Sequence, residues 1–235
     1  MSPYGVFVTG TDTGVGKTVV ACALMRGFAA LGRRVAGFKP VASGSERSPA
    51  GLRNADALAL AAAGTVALPY DLTNPYCFEP AISPHIAAEE AGIVVDLGRI
   101  RRDLEAIGRN VDWIVAEGAG GWLAPVGTGV TMADLARTLG LPVLLVVGLR
   151  LGCLNHAHLT GEAIRAAGVP FAGWIGSHVD AHFERVAANL ATLERSLGEA
   201  PLALVPQLGT HEAPALTAAA RLLSERELKH LKRLE

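Results

Sequence analysis

A glycine-rich stretch near the start of the chain constrains its fold more than any other feature. Residues 10–18 read Gly-Thr-Asp-Thr-Gly-Val-Gly-Lys-Thr, directly after an apolar run at 6–8 and directly before an apolar helical pattern. The usual motif G-x-x-x-x-G-K-[ST] would place a glycine at position 11, and this chain has Thr11 there, with Gly10 one residue earlier. A strand, a glycine turn and a helix N-terminus in this order present backbone N–H groups to phosphate. The stretch therefore predicts a variant phosphate-binding loop.

Four residues of this loop have the expected chemical features. Gly14 and Gly16 lack Cβ atoms where the backbone must approach a polyphosphate. Lys17 can reach the outer phosphates, and Thr18 can offer its hydroxyl to Mg²⁺.

Short apolar runs alternate with helical patterns along the rest of the chain. The predicted strands are 6–8, 34–38, 113–116, 142–147, 171–175 and 202–205. The predicted helices are 17–31, 97–110, 153–167, 182–197, 214–223 and 224–235. This alternation predicts an α/β fold: a P-loop NTPase-like single domain over residues 1–235, with a mostly parallel, doubly wound sheet and helices on both faces.

The composition of the chain indicates which kinds of molecule it can bind and where in the cell it is found. The net charge is −1, 18% of residues are charged and no basic block is present, so we expect neither nucleic acid nor a membrane as a partner. The longest apolar run, 141–149, is far shorter than the roughly 20 residues that span a bilayer. No secretory signal pattern is found, and the three cysteines are scattered, which favours reduced thiols and a cytoplasmic protein. Small-molecule chemistry fits these features best.

Polar residues follow several predicted strands, where ligands bind in doubly wound sheets. Lys39 and Ser43 follow the second strand and could face one small anion, although a lone lysine there can also be a solvated cation. Glu117 follows the third strand and precedes a glycine-rich turn, which suits an acid that helps to hold Mg²⁺; its alternative is an exposed turn acid. The glycine-rich segment 148–156 leads into a helix N-terminus and is a possible second anion site.

For Asp56 and for the pair His156 and His158, the residue pattern alone does not indicate metal binding. Asp56 lies at a predicted helix start, where the residue pattern alone favours a capping role. His156 and His158 are two residues apart and do not share a helix face, so we do not expect them to bind a metal together.

Several stretches together resemble one family, that of the dethiobiotin synthetases, the ATP-dependent carboxylases of biotin synthesis. The resemblance covers nearly the entire chain. The stretches are T-G-T-D-T-G-V-G-K-T at 9–18, K-P-V-A-S-G at 39–44, N-A-D-A at 54–57, N-P-Y at 74–76, S-P-H at 83–85, E-G-A-G-G at 117–121 and G-C-L-N-H at 152–156.

The resemblance implies a ligase that forms C–N bonds. Its substrates would be 7,8-diaminopelargonic acid, CO₂ and ATP, with Mg²⁺ as the metal cofactor. A carbamate forms on one amine, ATP phosphorylates it to a carbamic-phosphoric anhydride, and the second amine closes the cyclic urea. The family is a homodimer with its sites at the subunit interface, so the resemblance implies the same here.

The resemblance also implies site residues, some of which change the interpretations above. Lys39 and Lys17 are the implied catalytic residues. Mg²⁺ would be held by Thr18, Asp56 and Glu117, which replaces the capping interpretation of Asp56. The implied nucleotide-binding residues are Gly14, Val15, Gly16, Lys17, Thr18, Val19, Asp56, Glu117, Gly118, Ala119, Gly120, Ser177, His178, Pro206, Gln207 and Leu208. The implied substrate-binding residues are Thr13, Lys39, Ser43, Leu151, Gly152, Cys153 and Asn155.

One residue departs from the family pattern, and other classes of protein share the motif. The family often carries Asn where this chain has Ser177, which predicts weaker selection of the adenine base. A deviant P-loop ATPase switch of the chromosome-partitioning or septum-positioning kind is the main alternative, but those proteins typically carry an extra Lys early in the loop, and Thr11, Asp12 and Thr13 stand there. A second alternative is a related amide or carboxylate ligase domain, such as those of cobalamin synthesis. Such domains ordinarily come fused to a glutaminase domain, for which we expect no room in 235 residues.

Overall fold

The computed structural model describes residues 4–207. Their strands are β1 Gly5–Gly10, β2 Val35–Phe38, β3 Val41–Ala42, β4 Glu46–Ser48, β5 Gly51–Arg53, β6 Tyr76–Cys77, β7 Trp113–Glu117, β8 Pro125–Gly127, β9 Val130–Thr131, β10 Val143–Leu149, β11 Phe171–His178 and β12 Ala203–Val205. Their helices are α1 Lys17–Ala30, α2 Ala55–Ala63, α3 Tyr70–Thr73, α4 Pro84–Glu90, α5 Leu97–Gly108, α6 Met132–Leu139, α7 Cys153–Ala166 and α8 Val186–Leu197.

The main sheet of the described chain has six strands in the order β12-β11-β10-β1-β7-β2, and every neighbouring pair is parallel. The strand that precedes the glycine loop, β1, therefore lies inside the sheet. On one side it pairs with β7, which in turn pairs with the edge strand β2. Because all six strands run the same way, their carboxyl ends share one edge of the sheet, where ligands bind in folds of this kind.

Helices cover both faces of the sheet, as predicted. Along β1 the side chains alternate: Val6 and Val8 pack in a core with α1 and α2, whereas Phe7 packs in a core with α5, α6, α7 and α8. The central strands are buried along their whole length, which explains their continuous apolar runs. None of the helices within residues 4–207 combines the length and the apolar character needed to cross a membrane.

The α/β fold class and the main strands and helices are confirmed, with small differences at their ends. Helix α8 begins at Val186 and not at the predicted residue 182, because Arg185 has a left-handed backbone conformation (φ 53°) that cannot be part of an α-helix. The short helices α3, α4 and α6 and the two-stranded pairs were not predicted. The predicted helices 214–223 and 224–235 lie outside the described residues, and the assignment of 1–235 to one domain stays a prediction.

Candidate active site

The glycine loop connects β1 to α1 with the geometry that a phosphate cradle requires. Gly14 and Gly16 have φ values of 72° and 89°, and Gly16 is the N-cap residue of α1. Left-handed values of this kind are costly for residues with a Cβ atom. A Cβ atom on Gly16 would also lie 2.7 Å from Ser177 Oγ, so the loop fits tightly against β11. Lys17 Nζ donates to Asp12 O at 2.9 Å, which places its ammonium over the loop.

Beside this loop, Lys39 lies in a cluster of opposite charges. Its ammonium donates to Glu117 Oε1 at 2.6 Å, to Asp56 Oδ2 at 3.1 Å and to Gly118 O at 3.1 Å. The Lys39 and Glu117 side chains are only 4% and 1% exposed, whereas Asp56 is 39% exposed. Thr18 Oγ1 lies 2.9 Å from both Asp56 Oδ1 and Glu117 Oε1, and its single proton can serve one of them at a time. The four side chains therefore form one connected group.

The two lysines differ in their electrostatic surroundings. Burial, with the nearby charge of Lys39, lowers the pKa of Lys17 to about 8. Burial also disfavours the charged form of Lys39, but the attraction of Glu117 and Asp56 outweighs it and raises the pKa of this lysine above its usual value. Lys39 is thus a firmly charged ammonium. Lys17 is a buried cation that forms no comparable ion pair with a carboxylate within residues 4–207, and it suits an incoming anion.

Strand order explains why these residues meet. The loop, Glu117 and Lys39 follow β1, β7 and β2, which are neighbours in the sheet. In the register, Val8 is opposite Glu117, and Phe38 is opposite Ala116. Lys39 is therefore the first residue after the edge strand β2, and its side chain extends over the end of β7 to Glu117.

The side chain of Asp56 reaches this cluster from the first turn of α2, and Asp56 is not the N-cap residue of that helix. The N-cap residue is Asn54, whose side chain accepts hydrogen bonds from the backbone N–H groups of Asp56 and Ala57. The capping interpretation of Asp56 from the residue pattern alone is therefore wrong, because Asn54 already fulfils that role and the Asp56 carboxylate is directed to Lys39 and Thr18.

A cavity of about 940 Å³ opens at this edge of the sheet. It is large enough for a nucleotide and a small substrate, since ligand pockets typically measure about 300–1,000 Å³. The predicted site residues that line it are Thr13, Gly14, Gly16, Lys17, Thr18, Val19, Lys39, Ser43, Asp56, Glu117, Ala119, Gly120, Ser177, His178, Pro206 and Gln207. The phosphate loop, Lys39 and the residues predicted to bind the nucleotide base, such as Ser177, therefore line one cavity.

Other predicted site residues lie elsewhere. Leu151, Gly152 and Asn155 are exposed, and Cys153 is buried at the start of α7. None of these four lines the cavity of the described chain. Val15 is buried against the sheet, Gly118 contributes its carbonyl to Lys39, and Leu208 lies outside the described residues.

Sequence reasoning missed two contributions to the site. The segment 81–84, which leads into α4, forms part of the cavity wall; the S-P-H stretch at 83–85 is part of the family resemblance, but no site role is predicted for it. Asp12 pairs with Arg150 at 2.5 Å, which connects the glycine loop to the segment after β10, and no local pattern indicates this long-range contact.

Together the parallel sheet, the glycine loop, Glu117 at the end of the neighbouring strand β7 and Asp56 from α2 define a P-loop nucleotide-binding protein. A family model described as an AAA domain matches residues 4–215. The chain is 46% identical to ATP-dependent dethiobiotin synthetase BioD 1 of Salmonella typhi, over 90% of this chain and 92% of that protein. It is 48% identical to ATP-dependent dethiobiotin synthetase BioD of Pseudomonas paraeruginosa (strain DSM 24068 / PA7), over 91% and 93%. The chain belongs to the ATP-dependent dethiobiotin synthetase family.

Solved structures with the same fold include a protein of the alternative class. The septum site-determining protein MinD of Pyrococcus horikoshii, complexed with Mg-ADP, has a TM-score of 0.58 and 14% identity, covering 96% of this chain and 97% of that chain. At this identity the likeness shows the fold alone.

Proposed function

We propose that the chain is an ATP-dependent dethiobiotin synthetase, a ligase that converts 7,8-diaminopelargonic acid and CO₂ to dethiobiotin. The observation that carries this proposal is that Lys39 and the phosphate loop line the same cavity. A cation close to a triphosphate cradle suits phosphoryl transfer to an anionic oxygen such as that of a carbamate.

The proposed reaction has three steps. One amine of the substrate attacks CO₂ and loses a proton, which gives a carbamate. A carbamate oxygen then attacks the γ-phosphorus of ATP, ADP leaves, and a carbamic-phosphoric anhydride forms. The second amine attacks the carbonyl carbon, its proton is released and inorganic phosphate leaves with the oxygen that bridged carbon and phosphorus.

The chain contributes position and charge to this sequence. The backbone N–H groups of the loop and the ammonium of Lys17 would hold the triphosphate. Lys39 would neutralise the carbamate and the charge that develops as its oxygen attacks. All three hydrogen-bond donors of Lys39 are used in the structure, so its ammonium has to give up one partner to do this. Asp56 is the more exposed and more distant of its two carboxylate partners and is the one we expect it to leave.

Thr18, Asp56 and Glu117 are the proposed ligands for Mg²⁺. Thr18 Oγ1 lies 2.9 Å from both Asp56 Oδ1 and Glu117 Oε1, so oxygens of all three side chains lie close together, and Glu117 Oε2 is buried without a hydrogen-bond partner among the described residues. Within residues 4–207 no group of three or more His, Cys, Asp or Glu side chains forms a complete metal cage. Two carboxylates and a hydroxyl fit Mg²⁺, which usually keeps several waters and substrate phosphates in its coordination shell. When bound, the ion would neutralise charge on the phosphates during transfer.

Mass spectrometry tests the activity directly. Purified protein incubated with the diamine, bicarbonate, Mg²⁺ and ATP should give the cyclic urea and one phosphate per product. ATP hydrolysis that proceeds equally well without the diamine, with no cyclic urea formed, would instead support an ATPase of another kind.

The free thiols of Cys22, Cys77 and Cys153 suit the reducing cytoplasm in which we place the enzyme.

We further propose a homodimer in which segment 151–155 binds the substrate carboxylate of the partner subunit. Leu151, Gly152 and Asn155 are exposed, Gly152 is the N-cap residue of α7 with a φ of 93°, and none of these residues lines the cavity of their own described chain. Such a helix start favours an anion.

Replacing Asn155 with alanine should therefore raise the KM for the diamine by about tenfold, because one hydrogen bond to a carboxylate is lost, and leave the KM for ATP unchanged. Mixed dimers of Asn155→Ala and Lys39→Met subunits contain one site with both native residues. Assayed at a diamine concentration below the raised KM, the mixture should exceed the mean activity of its two parents. Activity equal to that mean would mean that each subunit contains its whole site.

Ser177 predicts modest selectivity among nucleoside triphosphates. It is 4% exposed and lines the cavity at the end of β11, but its hydroxyl is short and offers no amide to a purine edge. We expect the kcat/KM for ATP to exceed that for GTP or CTP by less than about a hundredfold. A competition assay that gives a much larger ratio would show that the base is selected by other residues.

A further inference from the structure

The Asn74-Pro75-Tyr76 motif has no part in the proposed chemistry, yet its asparagine is 2% exposed and lies behind the active-site lysine. Asn74 Nδ2 donates to Lys39 O at 2.7 Å and to Tyr76 O at 3.2 Å. The backbone N–H of Lys39 donates to Thr73 O at 2.8 Å. Both backbone polar groups of Lys39 are thus bound by the end of α3 and the residue after it.

The hydroxyl of Tyr70 connects this contact to the helix that carries Asp56. It donates to Asn74 Oδ1 at 3.1 Å and accepts a hydrogen bond from the backbone N–H of Asn54 at 2.7 Å. Burial raises the pKa of Tyr70 to about 12, so the hydroxyl stays protonated and can donate. The Arg53 guanidinium lies 4.0 Å from the centre of the Tyr70 ring and helps to hold the ring in place.

Asn54 completes the connection. Its side chain caps α2 by accepting from the N–H groups of Asp56 and Ala57, and its Nδ2 donates to Ser43 O at 3.3 Å. The Asn74 amide has both of its donor hydrogens and its oxygen engaged, so its orientation is fixed by three partners. The network therefore joins the backbone of Lys39 to the start of the helix that presents Asp56, and these two side chains meet at 3.1 Å.

We infer that Tyr70 and Asn74 are positioning residues that set the placement of Lys39 relative to Asp56. Neither side chain lines the cavity, so they act through the residues they hold. The inference rests on the proposed function, in which Lys39 meets the carbamate. A misplacement of about 1 Å at a catalytic group can lower a rate by about a hundredfold.

Tyr70→Phe tests this because it keeps the ring and removes only the hydroxyl. Tyr76→Phe is the matched control: its hydroxyl also accepts from a backbone N–H, that of Asp96 at 2.9 Å, but has no contact with Lys39 or Asn54. We expect Tyr70→Phe to lower kcat by about ten- to a hundredfold at a temperature where it is fully folded, with the KM for ATP changed less than about threefold. Tyr76→Phe should keep kcat within about twofold. A purely structural role for Tyr70 would lower the Tm of Tyr70→Phe without this loss of kcat, and a native kcat in folded Tyr70→Phe would overturn the inference.

Amide hydrogen exchange gives a readout that does not depend on activity. In Tyr70→Phe the N–H groups of Asn54 and Lys39 should exchange about tenfold faster than in Tyr76→Phe. The Asn54 N–H loses the hydroxyl that accepts its hydrogen bond, and Lys39 is held by an Asn74 side chain that has lost its hydrogen bond from Tyr70. Equal exchange in the two variants would contradict the inference. If the native protein makes no cyclic urea, the proposed function fails, while the exchange experiment still decides whether the network holds Lys39.

Discussion

Replacing Lys39 with methionine is expected to lower kcat by about a thousandfold while leaving the KM for ATP within about threefold of its native value. Methionine keeps most of the volume but removes the charge that would face the carbamate. The triphosphate would still be held by the loop and Lys17, neither of which hydrogen-bonds to Lys39 in the structure. Steady-state kinetics with the diamine and ATP varied separately would measure both effects.

The same substitution leaves Glu117 as a buried charge without its cation, which can cost about 3–5 kcal/mol of stability. Rates should therefore be compared at a temperature where circular dichroism shows the variant to be folded. Arg34→Met is the matched control, because it breaks the exposed Arg34–Asp112 pair and should change neither kcat nor stability appreciably. If folded Lys39→Met retained a tenth or more of the native kcat, Lys39 would have no place in the chemistry.

Thr18→Val should lower kcat/KM for ATP by about a hundredfold and raise the Mg²⁺ concentration needed for half-maximal rate. The substitution keeps the shape of the side chain but removes the hydroxyl that lies 2.9 Å from both Asp56 and Glu117. Removing one proposed metal ligand should weaken the proposed Mg²⁺ site without disturbing the glycine turn. A titration of initial rate against Mg²⁺ at fixed ATP would show the shift.

Thr9→Val provides the control for this experiment. Thr9 is also a buried threonine, on β1, but its Oγ1 has no hydrogen-bond partner among the described residues. Its replacement should leave the Mg²⁺ dependence unchanged and cost little stability. An unchanged Mg²⁺ dependence in Thr18→Val as well would remove Thr18 from the metal site.

The sequence predicts much of the site because its main residues follow buried strands. The glycine loop, Lys39 and Glu117 each come directly after an apolar run, and parallel strands bring their carboxyl ends to one edge. Local patterns are sufficient to place each residue at that edge.

Local patterns do not give the order of strands or the direction of a side chain. That β7 lies between β1 and β2, and so brings Glu117 between the loop and Lys39, follows from packing of the whole sheet. Asp56 looks like a cap because its helix start offers two acceptable capping residues, and only the fold shows that Asn54 takes that position. Tyr70 lies in a four-residue helix that is too short to give a periodic signal, so the positioning of Lys39 that we infer for Tyr70 could not be predicted from the sequence.

The transfer of oxygen from CO₂ to phosphate tests most directly whether a carbamate meets the γ-phosphate beside Lys39. The enzyme would be incubated briefly with ¹⁸O-labelled CO₂, the diamine, Mg²⁺ and ATP in unlabelled water, before the label exchanges with solvent. If the carbamate oxygen attacks phosphorus, each inorganic phosphate released should carry one ¹⁸O atom. Unlabelled phosphate from the same reaction, together with phosphate that gains ¹⁸O in labelled water, would show that water is the nucleophile and would contradict the mechanism.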